Sequence, residues 1–184
     1  DKDSLDLFAK DLDVIRALKT MTPISFGGGI RTLQHLELLK DLPIERLMFS
    51  SSFIAKDESL IKKACSLFGH QAIQCVLPVK LVDEMVYVYD CKLAKFCPLG
   101  AIDLVFVDQF ANEIVIYDVD NDGAANCFNE SFLDGHPFQR KKIVVTGGIG
   151  KSTIDWARRH ELASALIDNK VLHQEYSIKN FKYA

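Results

Sequence analysis

Two glycine-rich turns hold the residue types in this chain that could do chemistry. In Ile24-Ser25-Phe26-Gly27-Gly28-Gly29-Ile30-Arg31-Thr32 an apolar run ends in three consecutive glycines and leads into a helical pattern. Glycine lets the backbone turn sharply and lets its N–H groups approach a ligand, while the first turn of a following helix adds unpaired donors and a positive dipole end. That combination suits a phosphate. The device recurs as Val144-Val145-Thr146-Gly147-Gly148-Ile149-Gly150-Lys151-Ser152-Thr153. One glycine turn serves strand-to-helix geometry as readily as it serves a ligand. Two, each between an apolar run and a helix, suggest a duplicated design.

Other motifs fall short of the chemistry they resemble. Gly148-Ile149-Gly150-Lys151-Ser152 lacks the first glycine of a nucleotide-triphosphate loop, because that position is Val145. Asp118-Val119-Asp120-Asn121-Asp122-Gly123 has the alternating oxygens and central glycine of a calcium loop, but its twelfth position is Asn129 and an apolar strand precedes it. Histidines 35, 70, 136, 160 and 173 have no metal-ligand spacing, so neither a metal nor a cofactor is predicted.

The elements that must position these turns alternate. Asp3 or Ser4 caps a first helix whose apolar residues Leu5, Phe8, Leu12, Ile15 and Leu18 recur at three and four. Strands are predicted over residues 23–26, 46–50, 72–79, 113–119, 142–146 and 164–167, and helices from Leu33 to near Asp41 and over 58–68, 101–110, 130–133, 152–159 and 177–183. The near-continuous apolar run from Ala72 to Val79 is typical of a strand covered on both faces, as in a parallel sheet. Met85-Val86-Tyr87-Val88-Tyr89 reads as a hairpin inserted over 81–91, with its turn at Asp83-Glu84. Six strand–helix units with short connections mean a parallel α/β fold, either an open doubly wound sheet or a β/α barrel. Glycine turns at two strand ends favour the barrel, which binds phosphates at one face.

Composition sets the bounds. A chain of 184 residues, 48% hydrophobic, fits one globular domain over 1–184. A net charge of -3 without a Lys/Arg cluster argues against nucleic acid. No apolar run reaches the roughly 18 to 20 residues that a membrane span needs. Cys65, Cys75, Cys91, Cys97 and Cys127 are odd in number and form no C-x-x-C pair, which reads as reduced thiols in a cytoplasm.

Ile24 to Thr32, Phe49 to Lys63 with Phe68-Gly69 and Gln71-Ala72, Asp118 to Gly123, and Val144 to Lys151 together resemble the cyclase subunit of imidazole glycerol phosphate synthase, in order and over nearly the whole chain. The resemblance implies a (β/α)8 barrel of which this sequence holds about six units, starting at a helix that matches the family's second. It also implies a lyase of histidine biosynthesis that takes ammonia from a glutaminase partner and closes an imidazole ring on a substrate with a phosphate at each end. By motif, Gly28, Gly29, Ser50 and Ser51 would hold one phosphate and Gly123, Gly147 and Gly148 the other, with Asp122 as the catalytic carboxylate. An ordinary loop, in which the aspartates bond their own backbone, is the competing reading of Asp120 to Gly123. The family usually has Asn-Thr where this chain has Ser50-Ser51, and serine keeps the hydroxyl but loses the amide.

Two departures bear on activity. The family's ring closure uses two aspartates as acid and base; one lies on an N-terminal strand outside this sequence, and the other aligns with Pro78, which has no proton to give or take. The alternative is therefore a divergent relative that handles ammonia, or acts as a scaffold, in sugar amidation for surface polysaccharide. Six units also leave two sheet edges unpaired, from which self-association is expected if these units are the whole protein, whereas a clean monomer would point to a missing segment.

Overall fold

A computed structural model describes residues 5–134 and 136–167. Helix α1, Leu5–Ala17, turns Phe8, Leu12 and Ile15 inward, while Leu5 and Leu18 of the predicted stripe stay exposed. Its proposed caps Asp3 and Ser4 lie outside the described residues, as do the predicted last helix and His173. The chain then runs through β1 (Ser25–Gly27), α2 (Leu33–Leu39), β2 (Arg46–Phe49), a single turn α3 (Ser51–Ile54) and α4 (Glu58–Phe68). Thr32, Asp57 and Asp103 each cap a helix by accepting the N–H three residues on, from His35, Leu60 and Phe106.

Strand β3, Ile73–Val82, outruns its predicted end and turns back through Asp83 and Glu84, both at positive φ, into β4 (Met85–Asp90) and then β5 (Lys95–Pro98). The antiparallel arm thus has a third strand that the sequence pattern missed, because Lys95–Pro98 is short and only partly buried. Lys80 Nζ lies 3.9 Å above the Phe96 ring and holds that strand to the base of the arm. The helix predicted from Ala101 begins instead as α5, Leu104–Phe110, after a 3-10 turn at Leu99–Ala101. Strands β6 (Glu113–Asp118) and β7 (Ile143–Thr146) are joined through 3-10 turns, one of which replaces the short helix expected over 130–133. Helix α6 (Lys151–Arg159) and strand β8 (Ser164–Ala165) follow.

The strand order β1-β2-β3-β6-β7-β8 is sequential and every neighbouring pair along it is parallel. A doubly wound sheet would reverse its order at a switch point. The sheet is curled as a half-barrel with alternating helices, part of a (β/α)8 barrel. Because the strands share one direction, the turns after β1, β2, β6 and β7 all stand on one rim. Fully buried Leu47, Ile73, Leu77, Ile114, Ile143 and Val145 pack the sheet against Leu12, Leu36, Leu39 and Ile61 of the helices.

Candidate functional site

A cavity of about 710 Å³ opens at that rim. Beside it, the β2 ladder on β3 ends at Phe49↔Cys75, and the β4 ladder on the same strand begins only at Val79↔Val88. Val76 and Pro78, two apart and so on one face, line the opening. Proline lacks an N–H, and it falls where β3 changes partners, so no ladder bond is lost there.

The first group of predicted phosphate residues meets in this cavity. Gly28, Gly29, Ser50 and Ser51 all line it, beside Arg31, Met48 and Asp57. Gly27 belongs to β1 rather than to the turn, and a Cβ there would stand 2.6 Å from Met48 Cβ on β2. Gly28 and Gly29 make the turn, at φ +91° and +86°, and a Cβ on Gly28 would enter open space. The turn's exit is set by buried His35, whose Nδ1 accepts the Arg31 N–H at 3.1 Å and whose ring stacks on Phe8 with centroids 4.2 Å apart. Ser50 Oγ is buried with no hydrogen-bond partner among the described residues.

The second group stands on the same rim but does not line the cavity. Gly147 and Gly148, at φ +82° and +72°, lie buried under the β6–β7 connection. Cys127 N and Phe128 N both donate to Gly148 O, at 2.9 and 3.2 Å. An added Cβ would lie 2.1 Å from Asp118 O at Gly147 and 2.6 Å from Phe128 N at Gly148. The chain's own loop thus takes the space that glycine opens. At the start of α6, Ser152 N and Oγ donate to Asn126 Oδ1, at 2.9 and 2.7 Å. Fully buried Asp118 anchors the same loop, its Oδ2 accepting from Asn121 Nδ2 at 2.8 Å and Asn129 N at 3.0 Å. Gly123 is exposed at φ +76°, next to exposed Asp122.

Asp122 reaches the cavity through one residue. Tyr117, which lines it and is in register with Pro78, donates from Oη to Asp122 Oδ2 at 2.8 Å. Among the described residues no three His, Cys, Asp or Glu side chains are grouped as metal ligands would be. Tyr117, Cys91 and Lys92 escaped the sequence reading. The tyrosine's only signal is a polar aromatic one residue before the strand end, and the other two reach the cavity only through the fold of the antiparallel arm.

At the opposite ends of the strands, Glu113 accepts from Arg46 Nε at 3.1 Å and from the amide of buried Gln74, joining three neighbouring strands. No helix among the described residues is long and apolar enough to cross a membrane.

Residues 6–177 match the family model described as histidine biosynthesis protein. A Campylobacter jejuni protein provisionally named imidazole glycerol phosphate synthase subunit hisF2 is 28% identical over 90% of this chain and 67% of its own length. The imidazole glycerol phosphate synthase subunit HisF of Campylobacter concisus is 27% identical over 76% of this chain and 57% of its own length. That of Exiguobacterium sp. is 26% identical over 89% and 68%. The chain therefore spans between about half and two thirds of the relatives it matches.

Proposed function

Because the chain belongs to the histidine biosynthesis protein family, we propose that it acts as a cyclase-type subunit of imidazole glycerol phosphate synthase, binding a bis-phosphate substrate and using ammonia from a glutaminase partner. The observation that carries this reading is the convergence of Gly28, Gly29, Ser50 and Ser51, from two separate strand ends, on one open cavity beside Arg31. Backbone N–H groups at a positive-φ turn, two hydroxyls and a guanidinium are the donor set that a phosphate accepts from. Gly123, Gly147 and Gly148 would serve the other phosphate only after Cys127 and Phe128 release Gly148 O, so the second grip requires the β6–β7 loop to withdraw. In this scheme Asp122 is the acid–base carboxylate, with Tyr117 between it and the cavity.

One observation favours the second reading, a catalytically divergent relative that handles ammonia or scaffolds a partner in sugar amidation. The cavity wall carries Pro78 where the family resemblance places an aspartate, and the one carboxylate that lines the cavity among the described residues, Asp57, already caps α4 through the Leu60 N–H. The test supplies saturating ammonium and the bis-phosphate substrate to the unaltered chain and to Pro78→Asp. Turnover by the unaltered chain supports the cyclase reading, whereas binding without turnover, rescued or not by Pro78→Asp, supports the divergent one.

A further inference from the structure

The turn between β4 and β5 forms one side of the cavity, through Cys91 and Lys92, and none of the strand-end motifs accounts for it. It is pinned from two directions. Asp90, only 4% exposed, accepts the N–H groups of Lys92 and Leu93 on Oδ1 at 2.8 and 3.3 Å. The Lys92 N–H also reaches Ser51 Oγ at 3.1 Å, so the turn is fastened to the strand end that bears one of the proposed phosphate hydroxyls. A serine oxygen that accepts from Lys92 keeps its own proton to donate elsewhere. Beside it, Ser50 Oγ is buried without a hydrogen-bond partner among the described residues.

We propose that Lys92 is a cationic ligand of the phosphate bound at Gly28, Gly29, Ser50 and Ser51, and that the β4–β5 arm exists to carry it there. The assignment rests on the phosphate reading of that cavity. The charged residues lining the cavity are Arg31, Lys92 and Asp57, and Asp57 is committed to the α4 cap. Lys92 takes part in no ion pair among the described residues, unlike Lys56, Lys62 and Lys142, which pair with Asp103, Glu58 and Asp108. An ammonium on a flexible stem is a point charge that follows a phosphate without demanding a fixed angle, so anchoring the backbone at Lys92 while leaving its side chain unpaired suits that task. The ligand chemistry is a phosphate monoester or free phosphate, and the two are told apart below.

Cys91 beside Lys92 supplies a built-in reporter, since Cys91 and Cys127 are both exposed and only Cys91 lines the cavity. The experiment titrates inorganic phosphate and glycerol phosphate by calorimetry and follows iodoacetamide alkylation of each cysteine by peptide mass spectrometry. Phosphate should slow alkylation at Cys91 severalfold and leave Cys127 unchanged. Lys92→Met should weaken binding about tenfold and remove the protection, with Lys92→Arg keeping both. Tighter binding of glycerol phosphate than of phosphate identifies the monoester as the ligand, and equal binding identifies the free anion. Gly28→Val and Ser50→Ala test the underlying reading in parallel, with circular dichroism to confirm folding. Full affinity in Lys92→Met together with loss in Gly28→Val and Ser50→Ala overturns the role of Lys92 alone. No binding by the unaltered chain, or unchanged binding in Gly28→Val and Ser50→Ala, overturns the phosphate site and the inference with it.

Discussion

Tyr117 and Asp122 are joined by a 2.8 Å hydrogen bond that connects a cavity-lining phenol to the carboxylate of the adjoining loop. Tyr117 occupies the register position opposite Pro78, so this phenol stands on the strand beside that proline. A phenol that donates to a carboxylate presents its oxygen as an acceptor to whatever fills the cavity. Any ring-closing turnover should therefore fall by about 10² or more in Asp122→Asn and by a smaller factor in Tyr117→Phe, with substrate affinity kept in both. Steady-state kinetics with ammonium checks this, and an unchanged rate in Asp122→Asn would remove Asp122 from the chemistry.

Gly148→Val should unfold the protein more easily, whatever it does to ligand binding. Its Cβ would press on Phe128 N at 2.6 Å, and valine at φ +72° is strained on top of that clash. Together these cost roughly 3 kcal/mol or more. Urea denaturation should show the midpoint falling well below that of Gly28→Val, whose Cβ enters open space.

Glu113 ties β2, β3 and β6 at the end of the sheet far from the rim. Removing it in Glu113→Ala leaves buried Gln74 and the Arg46 guanidinium without their acceptor, a loss of about 1–3 kcal/mol. Phosphate affinity at the rim should not change. A calorimetric and denaturation pair of measurements separates the two effects, and lost phosphate binding in a folded Glu113→Ala protein would contradict the division between the two ends.

His136 supplies a pH dependence whose sign is fixed by its surroundings. Burial holds its pKa below the ordinary histidine value, and its Nδ1 accepts the Phe138 N–H at 3.1 Å, which requires the neutral ring. Nearby Asp134 raises the pKa and Arg140 lowers it, both less than burial does. The unfolded chain then takes up the proton first, so this contribution to stability is complete above the unfolded pKa of about 6.5 and is lost as pH falls through the lower folded value. Urea midpoints should drop between pH 7.5 and 5 in the unaltered protein and drop less in His136→Asn. Equal drops in the two proteins would exclude His136 as a source.

The alternation of apolar runs with helical stripes was enough to define the parallel strands, because a strand covered on both faces must be apolar throughout. The same local logic located the turn at Asp83-Glu84 and the glycine turn at Gly28 and Gly29, whereas Ser50 and Ser51 were singled out by the family resemblance; all of them stand at element ends. Tertiary structure alone decided what each glycine is for. Gly28 faces open space, Gly148 lies beneath Phe128, and Gly27 makes room for Met48, although the three are indistinguishable in composition and all follow or end an apolar run. It also brought Lys92, from the turn between β4 and β5, and Tyr117, from β6, to one cavity, a meeting set by sheet register. Local propensity acts over a few residues, whereas the choice between an open anion site and a packed contact depends on which distant segment arrives at the same rim.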